Sequence, residues 1–218
     1  MFLINGVPSE NYGAILEYGY KVTGAEVETS CSSSGSIVCF GQKIGRKKIS
    51  ASLLIAGSSQ QIAYEKYTIL CKKFTGIVEL VLPDGAMYTS VLTGIGDEET
   101  LAPGKIRCSF KFEAIRHGPL QSVTGNRLIC LSTLPKTDCK LTATVGTSGS
   151  NYKLGSVIFP AVTAGEVLCV DGITKRIMVN GVPAAQRAEW TQFPYLVPGE
   201  NTIECADPVT VEYYPGYF

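Results

Sequence analysis

The stretch KIRCSFKFEA, residues 105–114, decides the fold class, because apolar and polar side chains alternate along its whole length. Its apolar positions are Ile106, Cys108, Phe110, Phe112 and Ala114. Successive side chains of a strand point to opposite faces of the sheet, so this period of two buries one face and leaves the other in water. The stretch therefore predicts an antiparallel strand with one buried and one solvent-exposed face.

Neighbouring segments predict the partners of this strand. Residues 49–55 alternate in the same way, and residues 76–82 and 86–92 form two β-rich runs. Between those two runs lies Pro83-Asp84-Gly85, whose residue types favour a tight turn. The first half of the chain thus predicts a sheet that contains a strand and a hairpin.

A single segment has a helical period. After Ser58-Ser59, apolar side chains recur every three or four residues until Gly76, at Ala63, Tyr67, Leu70, Cys71 and Phe74. Ser59 is a natural N-cap, since its hydroxyl oxygen can accept a hydrogen bond from the first helical turn. A helix laid across the sheet would bury this stripe, which predicts an α+β arrangement for the first half.

The pattern changes near residues 116–119, which read Arg-His-Gly-Pro. From there onward short β-rich runs are separated by turn signals such as Asn180-Gly181, which, like Asn5-Gly6, predicts a hairpin turn with positive φ. The runs are residues 127–131, 140–145, 156–159, 166–170, 175–179, 201–205 and 209–214. Many short strands at close spacing predict a β-sandwich. We therefore predict two domains, residues 1–118 and 119–218, with Pro135 as the latest position for the boundary.

The composition predicts a folded, soluble chain. Apolar residues make up 45% and charged residues 17%, which supplies a core and too little charge for extended disorder. Lys plus Arg equals Asp plus Glu at 19 each, so we expect no sequence-specific binding of nucleic acid. No apolar run reaches the length of a membrane span, and we expect neither membrane insertion nor a secretion signal. The basic cluster Arg46-Lys47-Lys48 is interpreted as the solvated edge of a strand.

Catalytic, metal and cofactor sites find little support in the sequence. The eight cysteines include no Cys-x-x-Cys pair, and the one histidine, His117, does not complete a zinc site. His117 precedes Gly118-Pro119, where we expect a solvated turn residue. Asp97-Glu98-Glu99, the only acidic cluster, is expected to form a solvated loop. We predict no enzyme, no cofactor and free, mostly buried thiols, with a Cys–His enzyme and a cell-wall hydrolase as minor alternatives.

Trp190 and Tyr195 are the candidates for sugar binding. A β-sandwich can offer an aromatic platform on which a pyranose ring stacks. In the other interpretation, which we favour, Trp190 and Phe193 close the core of the sandwich beside the Pro194 turn. The sequence leaves both interpretations open.

The second half also carries a recognisable series of motifs. EVLCVDG at residues 166–172 is followed by Asn180-Gly181, by FPYLVPGENTI at residues 193–203, and by the run 209–214 with Pro215 and Tyr217. This series resembles the C-terminal β-sandwich of bacteriophage distal tail proteins. The first half is similar to the N-terminal domain of that family in layout, through Asn5-Gly6, Tyr12-Gly13, Arg46-Lys47-Lys48, the Ser58-Ser59 helix start and Pro83-Asp84-Gly85.

The resemblance implies a structural protein of the virion tail tip, assembled in the host cytoplasm. Residues 1–118 would be a split-barrel domain whose copies form a ring, typically a hexamer, coaxial with the tail tube. Residues 119–218 would be a galectin-like or carbohydrate-module-like sandwich that projects outward. The implied partners are the tail tube protein, the proteins of the tip hub and a receptor-binding protein, and the ring would leave a channel for genome ejection. The alternative function is a carbohydrate-binding module that contacts host cell-wall polysaccharide.

Overall fold

The computed structural model describes residues 1–24, 27–32, 38–44 and 46–218, with side chains for 1–24 and 46–218. The described chain is mainly β and contains one α-helix. It divides into two compact units. Unit 1 comprises Met1–His117 and Phe218, and unit 2 comprises Gly118–Tyr217.

Unit 1 is built on one antiparallel sheet. Its strands are β1 (Leu3–Ile4), β2 (Val7–Pro8), β3 (Ala14–Thr23), β6 (Lys47–Ala56), β7 (Ile77–Val81), β8 (Met87–Ile95), β9 (Glu99–Ala102) and β10 (Lys105–His117). Their order is β2-β1-β7-β8-β10-β6-β3, and β9 also pairs with β10. The strands β4 (Val27–Ser32) and β5 (Val38–Ile44) form a separate antiparallel pair, and a 3-10 helix spans Ser9–Tyr12.

The strand predicted at residues 105–114 is confirmed as β10, between β8 and β6. Its apolar positions are buried, as are those of β6, which it meets in register from Lys105↔Ala56 to Ala114↔Lys47. The predicted hairpin is also confirmed, because β7 pairs with β8 and the side chain of Asp84 accepts a hydrogen bond from Ala86 N at 3.0 Å within the turn.

The helix α1 (Gln60–Lys73) begins where the sequence predicts it. Ser59 Oγ accepts a hydrogen bond from Ile62 N at 3.3 Å and so satisfies one amide of the first turn. Phe74, directly after the helix, lies with its ring centroid 4.9 Å from that of Phe110 and 5.1 Å from that of Phe112. These distances suit attractive aromatic pairs, so α1 and β10 share one core. No helix of the described ranges has the length and apolar content of a membrane span.

Unit 2 contains the remaining strands and three sheets. The strands are β11 (Gln121–Thr124), β12 (Arg127–Cys130), β13 (Thr137–Thr144), β14 (Gly149–Leu154), β15 (Val157–Val162), β16 (Val167–Asp171), β17 (Arg176–Val179), β18 (Val182–Pro183), β19 (Glu189–Trp190), β20 (Tyr195–Leu196), β21 (Gly199–Thr202), β22 (Val209–Tyr213) and β23 (Gly216–Tyr217). The largest sheet has the order β11-β22-β13-β16-β17-β18, with β20 beside β13. The others are β12-β21 and β14-β15-β19, and a short 3-10 helix covers Ala185–Arg187.

All three sheets of unit 2 contribute to one hydrophobic core. Leu128 comes from β12, Phe159 from β15 and Val211 from β22, and all three side chains are buried in the same cluster. The Asn-Gly turns were predicted correctly in both units: Asn5 and Asn180 have φ of 50° and 51°, and each turn joins a short antiparallel pair.

His117 is a correction to the sequence analysis. It was expected to be a solvated turn residue, but it is the last residue of β10 and is buried. Its Nε2 lies 2.8 Å from Glu79 Oε2. Burial by itself raises the pKa of Glu79, but the hydrogen bonds with His117 and Thr89 outweigh burial and leave that pKa below its ordinary value.

The acidic cluster is a second, smaller correction. Asp97 and Glu98 lie exposed between β8 and β9, as predicted, whereas Glu99 is the first residue of β9 and forms an ion pair with Arg107. The pairing of β9 with β10 therefore begins inside the segment that was expected to be loop.

The described cysteines are free thiols, as predicted. Four of them, Cys108, Cys130, Cys139 and Cys169, are buried, while Cys71 and Cys205 are half-buried. Burial raises the pKa of Cys139 to about 12, which keeps this thiol protonated at neutral pH. The side chains of Cys31 and Cys39 lie outside the described residues.

Candidate functional site

Strand β3 forms an outer edge of the unit 1 sheet. It is 10 residues long and pairs with β6 on one side. Among the strands that the structure describes, none pairs with its other side. An edge of this kind presents unpaired backbone N–H and C=O groups that can pair with another chain. Strand β3 is therefore the longest open edge among the described strands of unit 1.

A bulge interrupts the pairing of β3 with β6. The register shifts between Leu16 and Tyr20, and within this bulge Tyr18 has φ of 57° and Gly19 has φ of 82°. Positive φ suits glycine but strains the backbone of a bulky residue. Tyr18 is also 82% exposed, so burial in its own core does not offset that strain.

Arg107 on β10 holds the bulge in place. Its Nε donates to Glu17 Oε2 at 2.6 Å, and its Nη1 donates to Glu99 Oε2 at 2.8 Å. Its Nη2 donates to Tyr18 Oη at 3.1 Å, and the guanidinium carbon lies 4.8 Å from the centroid of the Tyr18 ring. The hydrogen bond from Arg107 lowers the pKa of Glu17, while the carboxylates of Glu17 and Glu99 raise the pKa of Arg107. The cluster is therefore charged, and mutually bonded, at neutral pH.

The opposite face of the sheet carries α1, whose outer surface is partly apolar. Ile62, Tyr64 and Ile69 of the helix are exposed. Tyr64 borders a shallow depression that is also lined by Gln60, Thr100, Ala102 and Pro103. Gln60 Oε1 accepts a hydrogen bond from Gly104 N at 3.0 Å and so ties the helix to the turn between β9 and β10.

The residues predicted for sugar binding lie in unit 2. Trp190, in β19, is 40% exposed, and its ring centroid lies 6.1 Å from that of Phe193. Phe193 packs against the core of unit 2, so the expected core role is correct for Phe193 and wrong for Trp190, which is exposed and outside the core cluster. Tyr195 is half-buried, with Lys136 Nζ 4.5 Å from its ring centroid.

Tyr195 and Phe193 share an open depression with polar neighbours. Gln192, Asn201 and Glu204 line the same depression, whereas Trp190 lies beside it next to Phe193. Asn201 is already engaged, because its side chain accepts a hydrogen bond from Val197 N at 2.9 Å. The structure thus places two of the three aromatic rings in one depression.

Sequence reasoning missed the cluster that Arg107 forms with Glu17, Tyr18 and Glu99. Its one local signal is Gly19, since a glycine within a strand often marks a bulge. The residues of this cluster come from β3, β9 and β10, and residue spacing alone does not bring these segments together.

The fold of the whole chain matches solved phage structures. By sequence, neither a protein family nor a curated protein matches. The crystal structure of SPP1 Dit (gp 19.1), a protein of the hub adsorption apparatus in phages that infect Gram-positive bacteria, is similar over 100% of both chains, with a TM-score of 0.68 and 13% identity. The phage P2 baseplate in its activated conformation with Ca is similar over 93% of this chain and 90% of that chain, with a TM-score of 0.58 and 8% identity. The same baseplate with Sr gives a TM-score of 0.57.

The chain has the fold of a phage Dit protein. The resemblance read from the motifs is thereby confirmed at the level of the fold, and the likeness covers both units. In this Dit fold the open edge β3 and the outer surface of α1 belong to unit 1, and the aromatic depression belongs to unit 2. Within the described ranges, no group of three or more His, Cys, Asp or Glu side chains is arranged to hold a metal ion.

Proposed function

We propose that this chain is a structural subunit of a phage tail tip, in which copies of unit 1 pack side by side into a ring. The observation that carries the proposal is the match to SPP1 Dit over the full length of both chains at a TM-score of 0.68. A fold by itself does not assign a function, so surfaces suited to assembly must support the proposal independently.

Unit 1 offers two such surfaces. The open edge of β3 has unpaired backbone groups along 10 residues, and α1 exposes Ile62, Tyr64 and Ile69 on the opposite face. A subunit that uses two different patches assembles head to tail, and a head-to-tail contact closes into a ring when the rotation between subunits permits. Contact between copies removes both surfaces from water.

The finer features of the proposal concern the assembly as a whole. The ring is a hexamer, it connects the tail tube to the proteins of the tip hub, and it leaves a channel through which DNA passes. Residues 1–118 act as the split-barrel, ring-forming domain, and residues 119–218 act as a galectin-like sandwich to which other tip proteins, including a receptor-binding protein, attach. The equal numbers of basic and acidic residues, 19 each, suit a passage in which DNA slides without being held.

A structural role without catalysis agrees with the state of the thiols. The pKa of Cys139 is about 12 because the thiol is buried, and burial also raises the pKa of Cys108 and of Cys169. Thiolate, which is the nucleophilic form, is therefore scarce at all three positions at neutral pH.

Sedimentation and native mass spectrometry over a range of concentrations test the proposal. We expect a single closed oligomer that increases with concentration, and purified tail tube or hub protein should bind to it. A chain that stays monomeric at high concentration, and also fails to bind these partners, contradicts the proposal.

A second candidate function is carbohydrate binding by unit 2. It is favoured by the depression that Phe193 and Tyr195 share with Gln192, and by the exposed ring of Trp190 beside Phe193. Aromatic faces stack on pyranose rings, while amides bond their hydroxyls. Titration with cell-wall polysaccharide tests this function.

The variants for this titration are Trp190→Ala and Tyr195→Ala, with Val182→Ala as the control, since Val182 is exposed in the same unit but lies outside the depression. We expect weaker binding for the first two and unchanged binding for the control. No binding by the wild type, or binding that neither aromatic variant weakens while its fold is intact, eliminates this candidate.

A further inference from the structure

Tyr18 is strained and exposed at the same time. A φ of 57° in a bulky residue costs free energy that its surroundings must offset. Tyr18 is 82% exposed, which is the highest exposed fraction of any large hydrophobic side chain in the described residues. Strain of this kind clusters at functional sites, which makes Tyr18 a candidate for contact with another molecule.

The side chain of Tyr18 is also held in position before any contact forms. Arg107 bonds its hydroxyl at 3.1 Å and lies 4.8 Å from its ring, while Glu17 and Glu99 fix Arg107 from both sides. An aromatic side chain that is already ordered loses little conformational entropy on binding. Exposed tyrosines with these properties are typical anchors of protein interfaces.

The depression beside α1 lies on the other face of the same sheet. Arg107 pairs with Glu99 across β9 and β10, and the next pair is Ile106 with Thr100. Successive residues of a strand point to opposite faces, so Thr100 faces the side of α1 and Arg107 faces the side of Tyr18. The protruding Tyr18 ring and the depression lined by Tyr64, Thr100 and Pro103 therefore lie on opposite faces of one unit.

We propose that Tyr18 of one copy of this chain inserts into the depression between α1 and β9 of the next copy and anchors the contact between subunits. This inference rests on the proposed ring. A protruding side chain and its receiving surface on opposite faces produce a head-to-tail contact, because a two-fold contact would require the same patch on both partners. The bulge serves this contact by turning Tyr18 out of the sheet.

Sedimentation equilibrium of Tyr18→Ala tests the anchor, with Ile77→Ala as the matched control. Ile77 is 72% exposed in the same unit but lies on β7, away from β3. We expect Tyr18→Ala to weaken association at least about tenfold, and Ile77→Ala to leave it within about twofold. A photo-reactive amino acid placed at position 18 should cross-link to residues 60–64 or 100–103 of another copy.

A further variant, Tyr18→Gly, separates loss of the anchor from misfolding. Glycine relieves the positive φ, so the urea midpoint of unit 1 should not fall while association is lost. If the wild type forms rings and Tyr18→Ala associates equally well, the proposed role of Tyr18 is wrong, although the proposed ring is unaffected. A cross-link that maps to a different surface has the same meaning. If the wild type never associates, the proposed function fails and the anchor fails with it.

Discussion

Removing the Phe110 ring should destabilise unit 1 and leave unit 2 unchanged. Phe110 is fully buried at the centre of β10, and its ring centroid lies 4.9 Å from that of Phe74 and 6.4 Å from that of Tyr67. Phe→Ala at such a site removes the transfer free energy of the ring and leaves a cavity, which together cost about 3–5 kcal/mol. With a urea dependence of about 2 kcal/mol/M, Phe110→Ala should lower the midpoint of unit 1 by about 2 M.

Two spectroscopic probes report on the units separately. The α-helix of the described chain, α1, lies in unit 1, so ellipticity at 222 nm follows that unit. Trp190 is the single tryptophan of the chain and lies in unit 2, so its fluorescence follows the other. We expect Phe110→Ala to shift the first transition and not the second, and Phe159→Ala, which removes an equally buried ring from unit 2, to do the reverse.

The control for the cavity is Ile115→Ala, on the same strand but with an exposed side chain. It should change the free energy of unfolding of unit 1 by no more than about 0.5 kcal/mol. If Phe110→Ala leaves unit 1 unfolded in water, Phe110→Leu supplies a smaller change in the same direction. Equal shifts of both transitions in the Phe110 variants would refute two separately folding units. A loss of free energy of unfolding no larger than that of Ile115→Ala would refute the packing of α1 on β10.

Three further outcomes follow from single contacts. Ser59→Ala removes the N-cap hydrogen bond of α1 and should cost unit 1 about 0.5–2 kcal/mol in urea unfolding at 222 nm, whereas an unchanged midpoint contradicts the capping role. The folded-state pKa of Glu79 lies below the ordinary 4.5, so its contribution to stability is present above that pH and is lost as the pH falls through the folded value. Glu79→Gln should therefore show a smaller drop in Tm between pH 6 and about pH 3.5 than the wild type, and an equal drop speaks against the bond with His117. Because Cys139 is buried and its pKa is about 12, its alkylation at pH 8 should be far slower in the native protein than in urea. Peptide mass mapping measures the two rates, and equal rates would mean that the thiol is accessible to solvent.

Alternation and turn chemistry predicted about half of the described strands, among them β6, β7, β8 and β10 of unit 1, but not the edge strand β3. Strand β10 and the hairpin of β7 and β8 have one buried face each, so apolar and polar residues alternate along them with a period of two. Strand β14 was missed, because its sequence GSNYKL is polar and has only two buried positions, Tyr152 and Leu154. Its pairing with β15 stabilises it, and such a long-range contact leaves no local periodicity.

The candidate surfaces were harder to predict than the fold. His117 was expected in solvent because it precedes Gly118, but β10 extends to His117 and Glu79 from β7 reaches its ring. Trp190 and Phe193 were expected to close the core because most large aromatic residues are well buried, yet only Phe193 packs against it and Trp190 is exposed. The Tyr18 bulge depends on an ion pair of Arg107 with Glu17 and a hydrogen bond of Arg107 to Tyr18, and a local pattern does not encode contacts about ninety positions apart.

In the proposed function, copies of unit 1 enclose a passage at the tip of a phage tail. Cryo-electron microscopy of the assembled particle, with this chain located by a tag or a specific antibody fragment, tests it most directly. We predict a single ring of this chain, coaxial with the tail tube, in which β3 of each copy faces α1 of its neighbour around an open channel. Density for isolated copies on the periphery of the particle, or no density for this chain in the tail, would contradict the account.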